Sequence, residues 1–320
     1  MRYIDLHCDT LYLAALEQRS TIFHMDSMSD LKKLRCGGAG AQFFAVFLPQ
    51  QKEFSTYPHL KDDDHYIRTA VEILQNTIRL CPDDLSLVTG PEEFSNCLAQ
   101  NKLAAFLTLE DGRAVRGSLD RLKYFYRMGF RLITLTWNHE NCFGFPNSAD
   151  PCAMSRGLKP FGKDAVKYMA ELGILVDVSH LSDGGFWDVA DILSTPFVAS
   201  HSNCRTLCPH PRNLTDEMLR CLADHGGVAG LNFCPDFLDG TEKSSISSML
   251  THLRHMICVG GIDCVALGTD FDGIHGQFEI SGAHQMPNLF RAMEQNGFTS
   301  DEIEKIAWKN AARVIKDTIK

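Results

Sequence analysis

The chain has 320 residues, 44% hydrophobic and 22% charged, with a net charge of −9. That is ample material for a large core. The acidic balance, with no long Lys/Arg run, argues against nucleic-acid and anionic-membrane partners, and no stretch reaches the ~18–20 uninterrupted apolar residues of a membrane span.

The first run, "RYIDLHCD" (2–9), is strand-like and carries Asp5, His7 and Asp9. These residues break any charged-then-apolar leader pattern. The far end, "NAARVIKDTIK", has the pattern of an amphipathic helix end and lacks that of a lipid-anchor tail. The twelve cysteines are scattered without a C-x-x-C pair, Cys204 and Cys208 coming closest. A zinc ribbon or thioredoxin-type motif is therefore unsupported, and reduced thiols in a cytoplasmic protein are expected.

Further runs follow at 41–48, 103–110, 131–137, 173–180, 196–201, 227–233 and 264–270, giving eight predicted strands. Helical periodicity fills the intervals at 62–80, 117–128, 161–171, 183–193, 215–224 and 246–258. Two more helices, 285–296 and 300–318, close the chain, the last with Thr299 or Ser300 as its cap. Several strands are near-continuous apolar runs, as when both sheet faces are buried. Eight strand-then-helix units predict a single (β/α)8 barrel over residues 1–320. The runner-up is an open doubly wound sheet, which would bring a Gly-rich phosphate turn after its first strand, and "HCDTLYLA" contains none.

Polar residues fall at the C-terminal edges of these runs: His7 and Asp9 on the first, Glu110 on the third, His180 on the fifth, His201 on the sixth and Asp270 on the eighth. In a parallel barrel those edges converge on one rim. Alternation turns His7 and Asp9 to the same side and Cys8 away from it. Imidazoles and carboxylates in this set suit zinc, with manganese or cobalt as weaker fits. Five ligands with Glu110 as a bridge match two ions about 3.5–4 Å apart. Asp270 is then left to move the proton of an attacking water to a leaving amine. Each residue also has a plainer reading: a hydrogen-bonded histidine near a strand end, a helix cap at Glu110, a turn residue at Asp270 or Asp272. It is their joint position that favours the metal site. Asp5 and Asp177 are candidates to orient ligand imidazoles from behind, although Asp177 lies three residues from His180 and so on the opposite side of a regular strand.

With these residues assembled, the chain resembles the renal (membrane) dipeptidase family of the amidohydrolase superfamily. The resemblance runs through "DLHCDT", "LTLEDG", "LKPFGKDAVKYMAELGILVDVSHLS", "PFVASHSN", "HPRNLTDEML", "GVAGLNF" and "LGTDFDG". It implies hydrolysis of dipeptides with two zinc ions per chain, one on His7 and Asp9, one on His180 and His201, with Glu110 bridging. It further implies that Asp270 contacts the attacking water, that Arg212 in "PRN" binds the substrate carboxylate, and that the enzyme is a homodimer. Trp137 stands where many members carry a substrate-binding His, so the partner of the developing oxyanion is unassigned; His139, two residues on, is a weak substitute. Rival readings are an amidohydrolase of N-acyl amino acids or cyclic amides, a non-catalytic metal-binding barrel, and a thiol enzyme resting only on the cysteine count.

Overall fold

The computed structural model describes residues 1–320, apart from the side chain of Gln51. Among the described residues are eleven strands: β1 (Tyr3–Cys8), β2 (Ala39–Phe47), β3 (Leu85–Leu87), β4 (Leu103–Glu110), β5 (Phe130–Thr134), β6 (Leu175–Asp177), β7 (Val198–Ala199), β8 (Val228–Leu231), β9 (Lys243–Ser244), β10 (Val265–Leu267) and β11 (Gln277–Phe278). Eight of them form a closed parallel ring in the order β1-β2-β4-β5-β6-β7-β8-β10. Pairing of Asp5 with Leu267 joins β10 back to β1. The predicted barrel is therefore the observed one.

Alternation along each strand sorts the apolar residues into two layers. Ile4, Phe43, Phe106, Leu132, Leu175, Val198, Val228 and Ala266 form one buried cluster inside the ring. Leu103, Ala105, Leu107 and Leu109 of β4, with Phe44 and Val46 of β2, Ile133 of β5 and Val176 of β6, pack outward under the helices. Both faces are covered, which is why the strands read as continuous apolar runs. The helix Asn310–Thr318 closes the N-terminal end of the ring, adding Ala311, Val314 and Ile315 to the interior cluster.

The helices obey local rules. Asp63–Leu80 starts on Asp62, whose side chain accepts from the His65 N–H, and buries Tyr66, Ile67, Ala70, Val71, Ile73, Leu74 and Thr77, a stripe at helical spacing. At 300–318 the cap is Thr299, in a capping box with Glu302, and the predicted single helix is interrupted by a π-helical turn at Lys305–Lys309.

Three strands lie outside the prediction. β3 pairs with Leu103–Ala105 of β4, a stretch that β5 leaves open because it joins β4 only from Leu107 onward. β9 and β11 form a separate two-stranded parallel ribbon. Elements of two or three residues carry no readable alternation. The predicted strands at 173–180 and 196–201 shrink to Leu175–Asp177 and Val198–Ala199, with consequences for the two histidines beyond them.

Candidate metal centre

Above the apolar floor the interior turns polar. Asp177, wholly buried, accepts from the N–H groups of Ser179 (3.0 Å) and Ser200 (2.8 Å) and from the hydroxyls of Thr134 and Ser200 (both 2.6 Å). The space is tight: a Cβ on Gly230 or Gly268 would lie 1.9 or 1.7 Å from the Ser200 carbonyl oxygen. Because the Ser200 hydroxyl donates to Asp177, its oxygen is left to accept from His201 Nδ1, 2.7 Å away. That relay sets the His201 tautomer and turns an unprotonated Nε2 toward the mouth. Asp177 thus serves His201 through Ser200, not His180.

His180 lies three residues beyond β6 at φ 67°, and His201 two residues beyond β7. Both have left the ladder, so strand alternation does not aim them. A left-handed turn aims His180, and the Asn138 Oδ1 accepts from its Nδ1 at 3.2 Å. His180 Nε2 and His201 Nε2 then face each other at 3.1 Å, and both face Glu110 Oε1, at 3.3 and 3.6 Å. Glu110 is the last residue of β4, on its interior face. Its other oxygen, Oε2, lies 3.2 Å from His7 Nε2, which is also 3.4 Å from Asp9 Oδ2 and 3.8 Å from Asp270 Oδ1.

His7 and Asp9 meet as the alternation required, and Cys8 packs in the outer apolar layer. They do so across a register shift between β1 and β2 at Asp5–Cys8. Asp5 does not reach an imidazole. It accepts from the His7 N–H (3.3 Å), the Thr269 N–H (2.8 Å) and the Thr269 hydroxyl (2.7 Å), stapling β1 to the segment that delivers Asp270. Gly273 completes the enclosure, since a Cβ there would lie 2.1 Å from Asp9 Oδ2 and 2.7 Å from Asp270 Oδ1.

This donor set fits a cation. Three groupings, His7–Asp9–Glu110, Glu110–His180–His201 and His7–His201–Asp270, have their ligand atoms within 4.8 Å of one another. Among the described residues His7 Nε2 and Asp9 Oδ1 are buried without a hydrogen-bond partner. Two imidazole lone pairs pointing at each other and at a carboxylate repel unless a positive charge lies among them. The electrostatics agree. Burial, reinforced by His7, holds His201 well below the usual imidazole range, and burial with the Arg212 charge brings His180 down to about 4. Burial would lower His7 too, but Glu110 and Asp9 outweigh it and hold it well above that range. Burial and then Glu110 push Asp9 well up; burial likewise raises Asp270, against the pull of His7.

A cavity of about 660 Å3 opens over the cluster and is lined by Asp9, Glu110, His180, Asp270, Arg212 and Trp137 among others. Arg212 is no surface residue. It is 4% exposed, donates to Ser202 Oγ (2.6 Å) and the His201 carbonyl (3.0 Å), and keeps its Nε without a partner among the described residues. Trp137 is half-buried on the cavity wall. His139 is exposed and does not line the cavity, so it is no substitute there.

The sequence reading passed over Asn232, Asn138 and Ser200. Asn232 donates to Asp270 Oδ2 (2.9 Å) and to the His201 carbonyl (3.2 Å). Its signal was present in "VAGLN": continuing the even-numbered interior positions 228 and 230 leads to 232.

A closed parallel barrel with buried imidazoles and carboxylates gathered at its C-terminal mouth defines a metal-dependent hydrolase of the amidohydrolase superfamily. Among solved structures, the chain is similar to a family M19 dipeptidase, a metallopeptidase (26% identity, TM-score 0.89, covering 100% of this chain and 99% of that one), and to a Rhodobacter sphaeroides metallopeptidase liganded with a phosphinate mimic of the dipeptide L-Ala-D-Ala (25%, 0.87, 99% and 99%). Curated relatives include an uncharacterized protein of Klebsiella pneumoniae from the pqqA 5′ region (36% identity, 77% of this chain and 93% of that one) and an uncharacterized dipeptidase of Schizosaccharomyces pombe (32%, 99% and 80%). The model of the membrane dipeptidase family, peptidase family M19, matches residues 1–320, and the chain belongs to that family of hydrolases.

Proposed function

We propose that this metallopeptidase is a dipeptidase working with two zinc ions. The observation that carries the reading is Glu110, whose two oxygens face separate groups, Oε2 toward His7 and Oε1 toward His180 and His201. His7 and Asp9 would hold one ion, His180 and His201 the other, and Glu110 would bridge them. When bound, such a pair supplies Lewis acidity at the scissile carbonyl and lowers the pKa of the attacking water.

The chain's own residues do the rest. Asn232 anchors Asp270 through Oδ2, leaving Oδ1 toward the cluster to take the water's proton and return it to the departing amine. Burial has already raised its affinity for a proton. Arg212, pinned by Ser202 and the His201 carbonyl, offers its guanidinium edge to a C-terminal carboxylate, which restricts productive substrates to short peptides. The L-Ala-D-Ala mimic on the Rhodobacter relative supports acceptance of a D-residue at the C-terminal position. All twelve cysteines are free, which supports a reducing, cytoplasmic setting. Among the described residues no helix is long and apolar enough to cross a membrane.

The test is release of free amino acids from dipeptides of both C-terminal stereochemistries, with and without chelator, alongside metal analysis. About two equivalents of zinc and chelator-sensitive turnover are expected. A fully metallated protein that cleaves none of them would overturn the reading. Arg212→Ala separates it from a cyclic-amide hydrolase, which has no free carboxylate to lose.

A further inference from the structure

The cavity extends well beyond the metal cluster and Arg212, and its two sides differ. In the ring of eight strands, β2 stands four places from β7 in either direction, so the segments that follow them face each other across the mouth. Arg212 comes from the segment after β7. Phe47 ends β2, and Glu53 sits on the helix Gln51–Thr56 that follows; both line the cavity. Tyr12, on the helix Thr10–Leu16, meets Phe47 edge-on at 5.0 Å, and Trp137 meets it edge-on from the other side at 4.9 Å. The three rings make one apolar wall, whose Phe47 and Tyr12 lie on the side away from the guanidinium.

Glu53 stands beside that wall, half-buried, and one of its oxygens accepts from the Gln50 N–H in a capping box. Among the described residues no Lys, Arg or His pairs with it. Of the other carboxylates on the cavity, Asp9, Glu110 and Asp270 belong to the cluster, Asp272 is held by Thr10 and Ser29, and Asp236 follows β8 on the Arg212 side.

Resting on the dipeptidase reading above, we infer that Glu53 and the Tyr12–Phe47–Trp137 wall receive the N-terminal residue of the substrate, its ammonium at Glu53 and its side chain on the rings. A dipeptide whose carboxylate is held by Arg212 and whose carbonyl lies at the cluster must send its first residue toward the opposite wall. Large apolar N-terminal residues gain burial there. Acidic ones bring a negative charge against Glu53 and find no cation to meet it.

The experiment uses the zinc-loaded full chain and a set with a common C-terminal residue: Phe-Ala, Leu-Ala, Ala-Ala, Glu-Ala and N-acetyl-Phe-Ala. Phe-Ala and Leu-Ala should exceed Ala-Ala in kcat/KM by roughly tenfold or more, with Glu-Ala lowest. Glu53→Gln removes the charge while glutamine keeps the capping-box position. It should raise KM for Phe-Ala about tenfold with a smaller change in kcat, leave the zinc content and N-acetyl-Phe-Ala turnover in place, and relieve the penalty on Glu-Ala. Trp137→Ala should shrink the ratio of Phe-Ala to Ala-Ala. Equal kcat/KM for Phe-Ala, Ala-Ala and Glu-Ala, or an equal effect of Glu53→Gln on free and acetylated peptides, would overturn the inference while leaving the dipeptidase reading intact. No cleavage of any of the set, with the C-terminal alanine supplied in either configuration, would take down both.

Discussion

At the floor of the barrel Phe43 stacks on Phe106 at 4.5 Å among Ile4, Leu132, Leu175 and Val228. At the mouth, a few residues further along the same strands, imidazoles and carboxylates crowd within 3.1 to 3.8 Å of one another. One end is chosen for burial, each large side chain contributing about 1.5–3 kcal/mol. The other is built against local preference: His180, Asp270 and Asp272 all hold positive φ, at a cost of order 1–3 kcal/mol each. The floor keeps the strands rigid enough for the mouth to hold groups that would otherwise separate. Stability and chemistry should therefore respond to different substitutions on the same strand.

β4 offers the sharpest test, because Glu110 and Phe106 share its interior face. Glu110→Gln should cut turnover on the order of 10³-fold or more and lower the zinc content, with the urea midpoint of the metal-free protein changing less than in Phe106→Ala; a larger loss would erase the distinction. Phe106→Ala should do the reverse. Urea unfolding should show a loss of about 3–5 kcal/mol, while kcat per folded, metal-loaded molecule stays near the parent's.

Between floor and mouth lies the polar layer around Asp177, and Ser200→Ala asks to which region it belongs. Removing the relay to His201 should weaken zinc binding roughly 10–100-fold in a chelator competition, with little change in the urea midpoint. The smallest effect marks the outside of both regions. Thr299→Ala should cost about 1 kcal/mol through loss of its helix cap and leave zinc affinity and turnover unaltered.

The groups at the mouth were legible from sequence for a physical reason. Strands buried on both faces read as apolar runs, so a His, Asp or Glu that ends one stands out, as Glu110 does after "LAAFLTL". What hid the rest was dependence on a neighbour. That Ser200 couples Asp177 to His201, or that Asn232 holds Asp270, follows from which strand lies beside which and in what register. Strand length misled as well. His180 and His201 sit beyond ladders that end at Asp177 and Ala199, so their direction comes from turns.

Periodicity and the apolar runs alone determined the eight-stranded ring, because burying both faces of a parallel sheet leaves that composition whatever the loops do. They also determined which ionisable groups stand at its C-terminal edges. Closure of the ring decided the remainder: that Glu110 faces three imidazoles at once, that Asp177 works through Ser200, and that Glu53, Tyr12 and Phe47 lie across the mouth from Arg212. Those relations join residues tens to hundreds of positions apart, and only tertiary packing sets the distances on which hydrogen bonding and charge interaction depend.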